Sequence, residues 1–448
     1  MADFLFRLSG FCVVAFDIET AFFGLLITGY LHAMSRKERI LLFLLAGLNF
    51  THILDFMIMM PLSNYLIPAF KITAFQFSIL VASYSISAFI SGLIIAMVID
   101  KFDRKRSLLF AYAGFLIGTI ACGFAPTYGL LLSARIMAGL FGGIIGAQVL
   151  SIVADLFVYE RRGTAMGAVM SAFAAASILG VPLSLYLTNL FKFNWHVPFI
   201  LIGSVGILLV PLIIRFVPSM TGHIKERKQD SVFSALTSLF KVREQRAVLL
   251  FSGLLMMGHF LIIPFINPYI EFNKGFSKEL IPMIYLFGGI ASLVGAIFLG
   301  RYSDKVGKLP VFLWSVFLSL FMALIITKMP NVHFSLVLCF FSVWFVLATI
   351  RAITAQAMIS EVVKPEQRGS FMSVNGSIQQ LGSGLAALAA GAIVITEKSG
   401  KISNYNWVGI LSILVLAISM ILGHIVFKKI DRAKNVSVIN GELLQETV

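Results

Sequence analysis

The chain has 448 residues, 59% of them hydrophobic and only 12% charged, with a mean hydropathy of +0.94. A water-soluble domain carries about a quarter charged residues, so this protein is solvated by lipid and the soluble enzyme and scaffold classes are excluded. The net charge of +14 would fit a nucleic-acid partner, but membrane topology accounts for it, and the three scattered cysteines (Cys12, Cys122, Cys339) offer neither a disulfide framework nor metal-ligand spacing.

In chain order, residues 10–32 come first as an apolar run, with Asp17 and Glu19 near its middle. Each acid would cost roughly 2.5–3.5 kcal/mol at the centre of a membrane helix. The run also lacks the basic leading region of a signal peptide. Met34 and the basic Ser35-Arg36-Lys37-Glu38-Arg39 cluster after it read as the true start, with residues 1–34 an extension outside the fold.

Twelve apolar runs follow, each of about 20 residues and so able to cross a ~30 Å hydrocarbon core. They lie near 39–62, 74–99, 107–125, 129–154, 164–190 and 197–217, then near 246–268, 280–300, 309–328, 333–358, 369–395 and 406–428. Of the 35 Lys and Arg, seven fall on one side (Lys71, Lys192, Lys274, Lys278, Lys328, Lys398, Lys401). Arg7, Arg135 and Arg351 stand apart, and the remaining 25 fall on the other side. The positive-inside rule then places both ends of the core in the cytoplasm, as in an inner (plasma) membrane protein. The domains expected are a six-helix bundle over 35–217, a linker over 218–245, a second bundle over 246–428 and a tail over 429–448. Within the linker, Val232, Phe233, Leu236, Leu239 and Phe240 recur at helical spacing behind Asp230-Ser231, which predicts an amphipathic helix at the cytoplasmic interface.

Two local patterns repeat at nearly one offset. Asp100-Lys101-Phe-Asp103-Arg104-Lys105 returns as Asp304-Lys305-Val-Gly307-Lys308. Asp155 precedes Arg162-Gly163 by seven residues, as Glu361 precedes Arg368-Gly369. The chain is therefore two copies of one membrane unit in parallel, a plan that places a substrate site between the halves. Acids and bases at these helix ends (Asp100, Arg104, Asp155, Arg162, Asp304, Lys308, Glu361, Arg368) fit contacts made in one state of a rocking pair and broken in the other.

The loop pair resembles that of the major facilitator superfamily, and in particular its twelve-helix drug and sugar-efflux antiporters. The family's Gly-x-x-x-Asp-(Arg/Lys)-x-Gly-(Arg/Lys)-(Arg/Lys) turn maps onto Ala96, Asp100, Lys101, Asp103, Arg104 and Lys105, with Ala96 and Asp103 replacing glycines. The second copy keeps Gly300, Asp304, Lys305, Gly307 and Lys308. Arg135-Ile-Met-Ala-Gly139 matches the fourth-helix signature, and Gly180-Val181-Pro182-Leu183-Ser184 is an altered form of the fifth-helix antiporter motif. The resemblance implies an all-helical fold of two bundles related by an axis along the membrane normal, with helices one and four against one cavity. It also implies a kink at Gly180 and Pro182, which joins Pro61 and Pro264 as expected bends.

Ionisable residues inside spans are costly and mark function. Asp55 stands about 16 residues, ~24 Å, above the cytoplasmic start of helix one, and Arg135 about six residues, ~9 Å, below the outer start of helix four. That similar depth lets them pair, and they are expected to couple protons, with Asp55 titrating as its contact with Arg135 forms and breaks; a permanent ion pair pinning the first bundle is the alternative. Asn49 and His52 share a face with Asp55. With His259, Asn267, Asn375 and Gln379 they are expected to line the substrate cavity. Arg351 is expected near the cytoplasmic mouth as a gate residue paired with Glu361.

The expected function is proton-coupled efflux of a small drug- or sugar-like compound by alternating access. Uptake or exchange of a nutrient on the same fold stays open, and a non-transporting receptor is a third reading. No ATP-binding loop, zinc-protease motif or nucleophile turn occurs. No catalysis, cofactor, metal or nucleic acid is expected. The expected partners are the bilayer, protons and a small substrate, and the chain is expected to work as a monomer.

Overall fold

The structure, a computed structural model, describes residues 35–98, 102–157, 159–220, 242–363, 368–397 and 399–445. The expectations for residues 1–34, for Asp100 and for the linker helix over 232–240 lie outside the described residues, as do those for the side chains of Arg162 and Arg368.

Lipid offers the backbone no hydrogen-bond partners, so each apolar run satisfies its own polar groups as a helix. The chain is 85% helical at its described residues. The first half holds α1 (Arg36–Ile58), α2 (Ala74–Val98), α3 (Arg104–Gly123), α4 (Tyr128–Leu156), α5 (Tyr159–Ala175 and Val181–Leu190) and α6 (Val197–Phe216). The second holds α7 (Arg243–Phe260, continued by short turns to Asn273), α8 (Ile281–Val306), α9 (Lys308–Thr327), α10 (Phe334–Ser360), α11 (Arg368–Ile393) and α12 (Tyr405–Gln445). Among the described residues eleven spans are long and apolar enough to cross a membrane. The twelfth, α11, carries seven Ser, Asn and Gln between Ser370 and Ser383 and lies along α2 and α7, away from full lipid exposure. α12 runs well past its apolar stretch Tyr405–Lys428, so the expected tail begins as helix.

Within the first half, α1 packs on α5 and α6, and α4 on α2 and α3; within the second, α10 packs on α8 and α9, and α7 on α11 and α12. The halves meet chiefly along α2–α11 and α5–α8. Phe110, Leu208, Phe298 and Phe321 point outward, as a lipid-facing surface requires.

Local chemistry sets the ends and bends. Ser35 caps α1 in a reciprocal box with Glu38. Pro61 lies in the turn after α1 instead of kinking a continuous span. Pro182 follows a π-helical turn, Ala176–Gly180, where the Val181 N–H reaches back to Ala176. Proline has no N–H to give, so the ladder widens just before it. Pro264 sits in a 3-10 turn where α7 breaks.

Asp103, where the family turn has glycine, caps α3 by accepting from the Lys105 N–H, and also accepts from Ser219 Oγ at 2.6 Å and the Met220 N–H at 2.8 Å. Burial pushes its carboxyl up, but these hydrogen bonds outweigh that and hold it below the usual carboxylate value. A depressed folded-state pKa stabilises above the ordinary carboxylate range and is lost as pH falls through it. Hydrogen exchange at the Met220 amide, normalised to its intrinsic rate, should therefore accelerate as pH drops below about 4. Asp103→Ala should exchange fast at every pH; a pH-independent wild type would show that the cap does not order this segment.

Glycine sets the separation of α2 and α4. A Cβ placed on Gly139 would lie 2.3 Å from the Tyr84 carbonyl oxygen, and one on Gly143 2.3 Å from that of Ala88. No side chain fits there without parting the helices. Gly139→Val should destabilise the purified protein by about 1–3 kcal/mol, read as a lowered unfolding midpoint. Gly129→Ala, with open space around it, should leave the midpoint unchanged.

Candidate functional site

Asn49, His52 and Asp55 follow one another at three-residue steps on α1, and the structure buries all three. Arg135 of α4 donates from Nη1 to Asp55 Oδ2 at 2.8 Å, and the same nitrogen lies 3.2 Å from the Asp55 carbonyl oxygen. Both side chains are fully enclosed. The Tyr84 ring lies 4.5 Å from Arg135 Cζ, within cation–π range. The contact is made by one nitrogen only: Asp55 Oδ1 and Arg135 Nε and Nη2 have no hydrogen-bond partner among the described residues. Removing one member of such a pair typically costs about 3–5 kcal/mol, because the other charge is left buried alone.

Three residues before Asp55, His52 faces a cavity of about 180 Å³ between the halves. Asn49, His52 and Gly142 contribute from the first half, and Ser373, Ser377 and Gln380 from α11. Gly92, six residues before the end of α2, and Met372, four residues into α11, place the cavity toward the face rich in Lys and Arg, called here the basic face. Its walls are mainly apolar, from Ile53, Val149, Met372, alanine and bare glycine backbone, with a few amide, hydroxyl and imidazole groups and without a charged residue. Neither His52 ring nitrogen has a hydrogen-bond partner among the described residues. Asn49 donates to the Val169 carbonyl at 3.2 Å, which fixes its amide at the wall.

The other expected cavity residues lie elsewhere. Asn375 is buried, and Gln379 donates to Ser252 Oγ at 3.0 Å inside the second half. The cavity-facing side of α11 is the adjacent one, carrying Ser373, Ser377 and Gln380. Polar residues occupy more than one side of α11 because it packs against α2 and α7 at once. His259 accepts a hydrogen bond from Arg351 at 2.7 Å. Arg351 is thus deep in the second bundle on α7, not at a mouth on Glu361, which caps α10 ten residues further on. Its long side chain points back up α10, away from that end.

Asn267 donates to the Pro61 carbonyl at 2.6 Å and accepts from Tyr285, so it joins the halves at the face opposite the basic one. Residues not singled out from the sequence complete that closure. Asn64 donates to Glu271 Oε2, Asn189 donates to the Lys278 carbonyl at 3.1 Å, and Lys278 lies 3.6 Å from Glu271 and over the Tyr65 ring. Glu271, an acid inside the apolar end of α7, was the available signal. At the basic face, Arg104 pairs with Asp155 at 2.9 Å and Lys308 with Asp304 at 3.3 Å, each within one half.

Comparison with known proteins agrees with this architecture. The model of the Major Facilitator Superfamily matches residues 44–387 and 248–443. An uncharacterized MFS-type transporter of Bacillus subtilis, YbcL, is 25% identical over 343 residues, 77% of this chain and 85% of its own. A probable sugar efflux transporter of Helicobacter pylori is 23% identical over 330 residues, 73% of this chain and 81% of its own. Among solved structures, a bacterial homologue of the human lysosomal transporter Spinster superposes with a TM-score of 0.70 at 13% identity, covering 88% of this chain and 98% of its own. With the family matched over most of the chain and the two-bundle fold in place, the protein belongs to the major facilitator superfamily and is a membrane transporter, not an enzyme.

Proposed function

We propose that this protein exports a small drug- or sugar-like organic compound in exchange for protons, by alternating access at the cell's inner (plasma) membrane. The observation that carries the reading is the enclosed Asp55–Arg135 contact, one helical turn from the His52 that lines the cavity. The cavity lies toward the basic face, taken as cytoplasmic from its charge. The opposite face is closed by Asn267, Asn64, Glu271 and Lys278. In this state Asp55 holds Arg135 through a charged contact, which fits a carboxylate that has released its proton while substrate loads from the cytoplasm. Protonation from outside would remove the charge that anchors Arg135 and favour the alternative packing of the halves. The relative named as a probable sugar efflux transporter supports export.

A second reading, proton-driven uptake, draws on the altered antiporter motif. Gly180 and Pro182 are separated by Val181, and a π-helical turn occupies the motif's place. Counterflow in vesicles with an imposed pH gradient separates the two directions.

Asp55→Asn keeps shape and hydrogen bonding but cannot titrate. In proteoliposomes screened with sugars and fluorescent amphiphiles, it should abolish gradient-driven accumulation while leaving exchange at zero gradient measurable. Undiminished accumulation with normal pH dependence would make Asp55 structural. For orientation, reporter fusions after Val217 and after Lys434 should both read cytoplasmic; an external signal at either site would reverse the assignment of the faces.

A further inference from the structure

The second bundle contains a buried cation that no carboxylate among the described residues neutralises. Arg351 of α10 is only 2% exposed, and its Nη2 donates to His259 Nδ1 at 2.7 Å. A guanidinium has no lone pair, so Nδ1 must accept, and His259 is the neutral tautomer protonated at Nε2. Arg351 Nη1 has no hydrogen-bond partner, and among the described residues no acid forms a salt bridge with this arginine. The first bundle differs at this point, since Arg135 meets Asp55. His259 follows Asp55 by 204 residues, the spacing that separates Asp100 from Asp304. The repeat thus puts an imidazole where the first half has a carboxylate.

A charge in the hydrocarbon region without a counter-charge is among the costliest groups a protein can hold, and such groups line substrate or ion pathways by default. Neutral His259 satisfies one donor of the guanidinium and none of its charge. Neither Arg351 nor His259 lines the 180 Å³ cavity, but His259 stands one ring from the interface between the halves. From Arg135, ring contacts run to Tyr84 at 4.5 Å, from Tyr84 to Phe56 at 5.6 Å, from Phe56 across the interface to Phe260 at 5.6 Å, and from Phe260 to His259 at 5.3 Å. Phe56 is one helical turn beyond His52, whose ring lines the cavity. Trp344 closes the other side of His259, with ring centroids 5.0 Å apart.

We propose that Arg351, positioned by His259 and bordered by Trp344 and Phe260, binds a carboxylate group of the transported compound. The planar guanidinium offers donors at the spacing of two carboxylate oxygens, and the surrounding rings suit an apolar body behind that group. The substrate class is thus an organic acid with a compact, partly aromatic body. This rests on the transport reading above for the word substrate, but not on its direction or its proton coupling.

The test compares benzoate with benzamide, which has nearly the same shape and no charge. Purified protein in nanodiscs, in buffer free of other carboxylates, is titrated while tryptophan fluorescence and the unfolding midpoint are recorded. Benzoate should quench and stabilise saturably, with benzamide at least ten times weaker and chloride without effect at equal ionic strength. Arg351→Gln should erase the preference, and Arg351→Lys should keep part of it. Trp344→Phe should remove most of the fluorescence change but keep the stabilisation. Equal responses to benzoate and benzamide, no response to benzoate, a response to chloride alone, or a benzoate preference surviving in Arg351→Gln would each overturn the proposal. Should Arg351→Gln fail to fold, the wild-type comparison decides alone. Failure of proton coupling at Asp55 would leave a benzoate preference intact, so the two readings fall separately.

Discussion

Between α1 and α4, Asp55 and Arg135 hold opposite charges 2.8 Å apart with neither side chain reaching solvent, and the packing of the first bundle serves to keep them there. Two charges taken from water are a net cost unless their geometry is tight and their surroundings polarisable. The Tyr84 ring supplies part of that environment from α2. It reaches Arg135 because α2 lies against α4, and α2 lies there because Gly139 and Gly143 present no Cβ to the carbonyls of Tyr84 and Ala88. Glycine spacing, helix separation and charge pairing are thus successive steps of one argument. The same α2–α4 contact brings Gly142 to the cavity wall beside the His52 ring of α1, so the pair and the cavity share their support.

The two faces of the protein are held by different chemistry. At the face opposite the basic one, amides, one acid and one lysine tie the segment after α1 and the end of α5 to the outer end of α7 and the turn before α8 across the halves. At the basic face, the described ion pairs of the repeated turns remain inside their own halves: Arg104–Asp155 in the first and Asp304–Lys308 in the second. Asp103 adds a third such tie, from the α2–α3 turn to the segment after α6. These described contacts stiffen each bundle as a body. Stiff bodies with a separable interface are what a rocking motion requires. The contacts along α2–α11 and α5–α8 run through the middle, where a pivot would displace them least.

Most of the fold was legible because lipid imposes one rule on every span. Length and hydropathy locate the helices, and the two repeated turns divide them into halves. The segments that escaped that rule are those where side chains answer to protein neighbours. α11 is polar on more than one side, so an i,i+4 pair such as Asn375 and Gln379 defines a face but not the neighbour it meets. The π-helical turn before Pro182 and the broken outer end of α7 depend on local ladder geometry that composition does not carry. Asp55 and Arg135 could be matched by depth, since counting residues along each helix puts both at the level where their side chains meet. Arg351 could not. Its depth was counted along α10 alone, whereas its partner is set by where α7 places His259, and a long side chain crosses about a turn of helix on the way. Asn64 falls between the first two runs and Asn189 at the end of the fifth, and only the assembled halves turn them into a closure.

The two bundles descend from one unit yet treat buried charge differently, and that difference gives each a separate task. The first half has a carboxylate against its arginine, so its interior is neutral until a proton arrives. The second half has His259 against Arg351, so among the described residues that arginine has no counter-charge, which the proposed carboxylate would supply. A proton on Asp55 and a carboxylate on Arg351 therefore act in opposite senses on the net charge enclosed between the halves. Because enclosed net charge is costly at membrane depth, the bundles close most easily around combinations that cancel. A deprotonated Asp55 with a carboxylate on Arg351 leaves both arginines paired, and the loaded carrier can turn without an isolated charge at its centre.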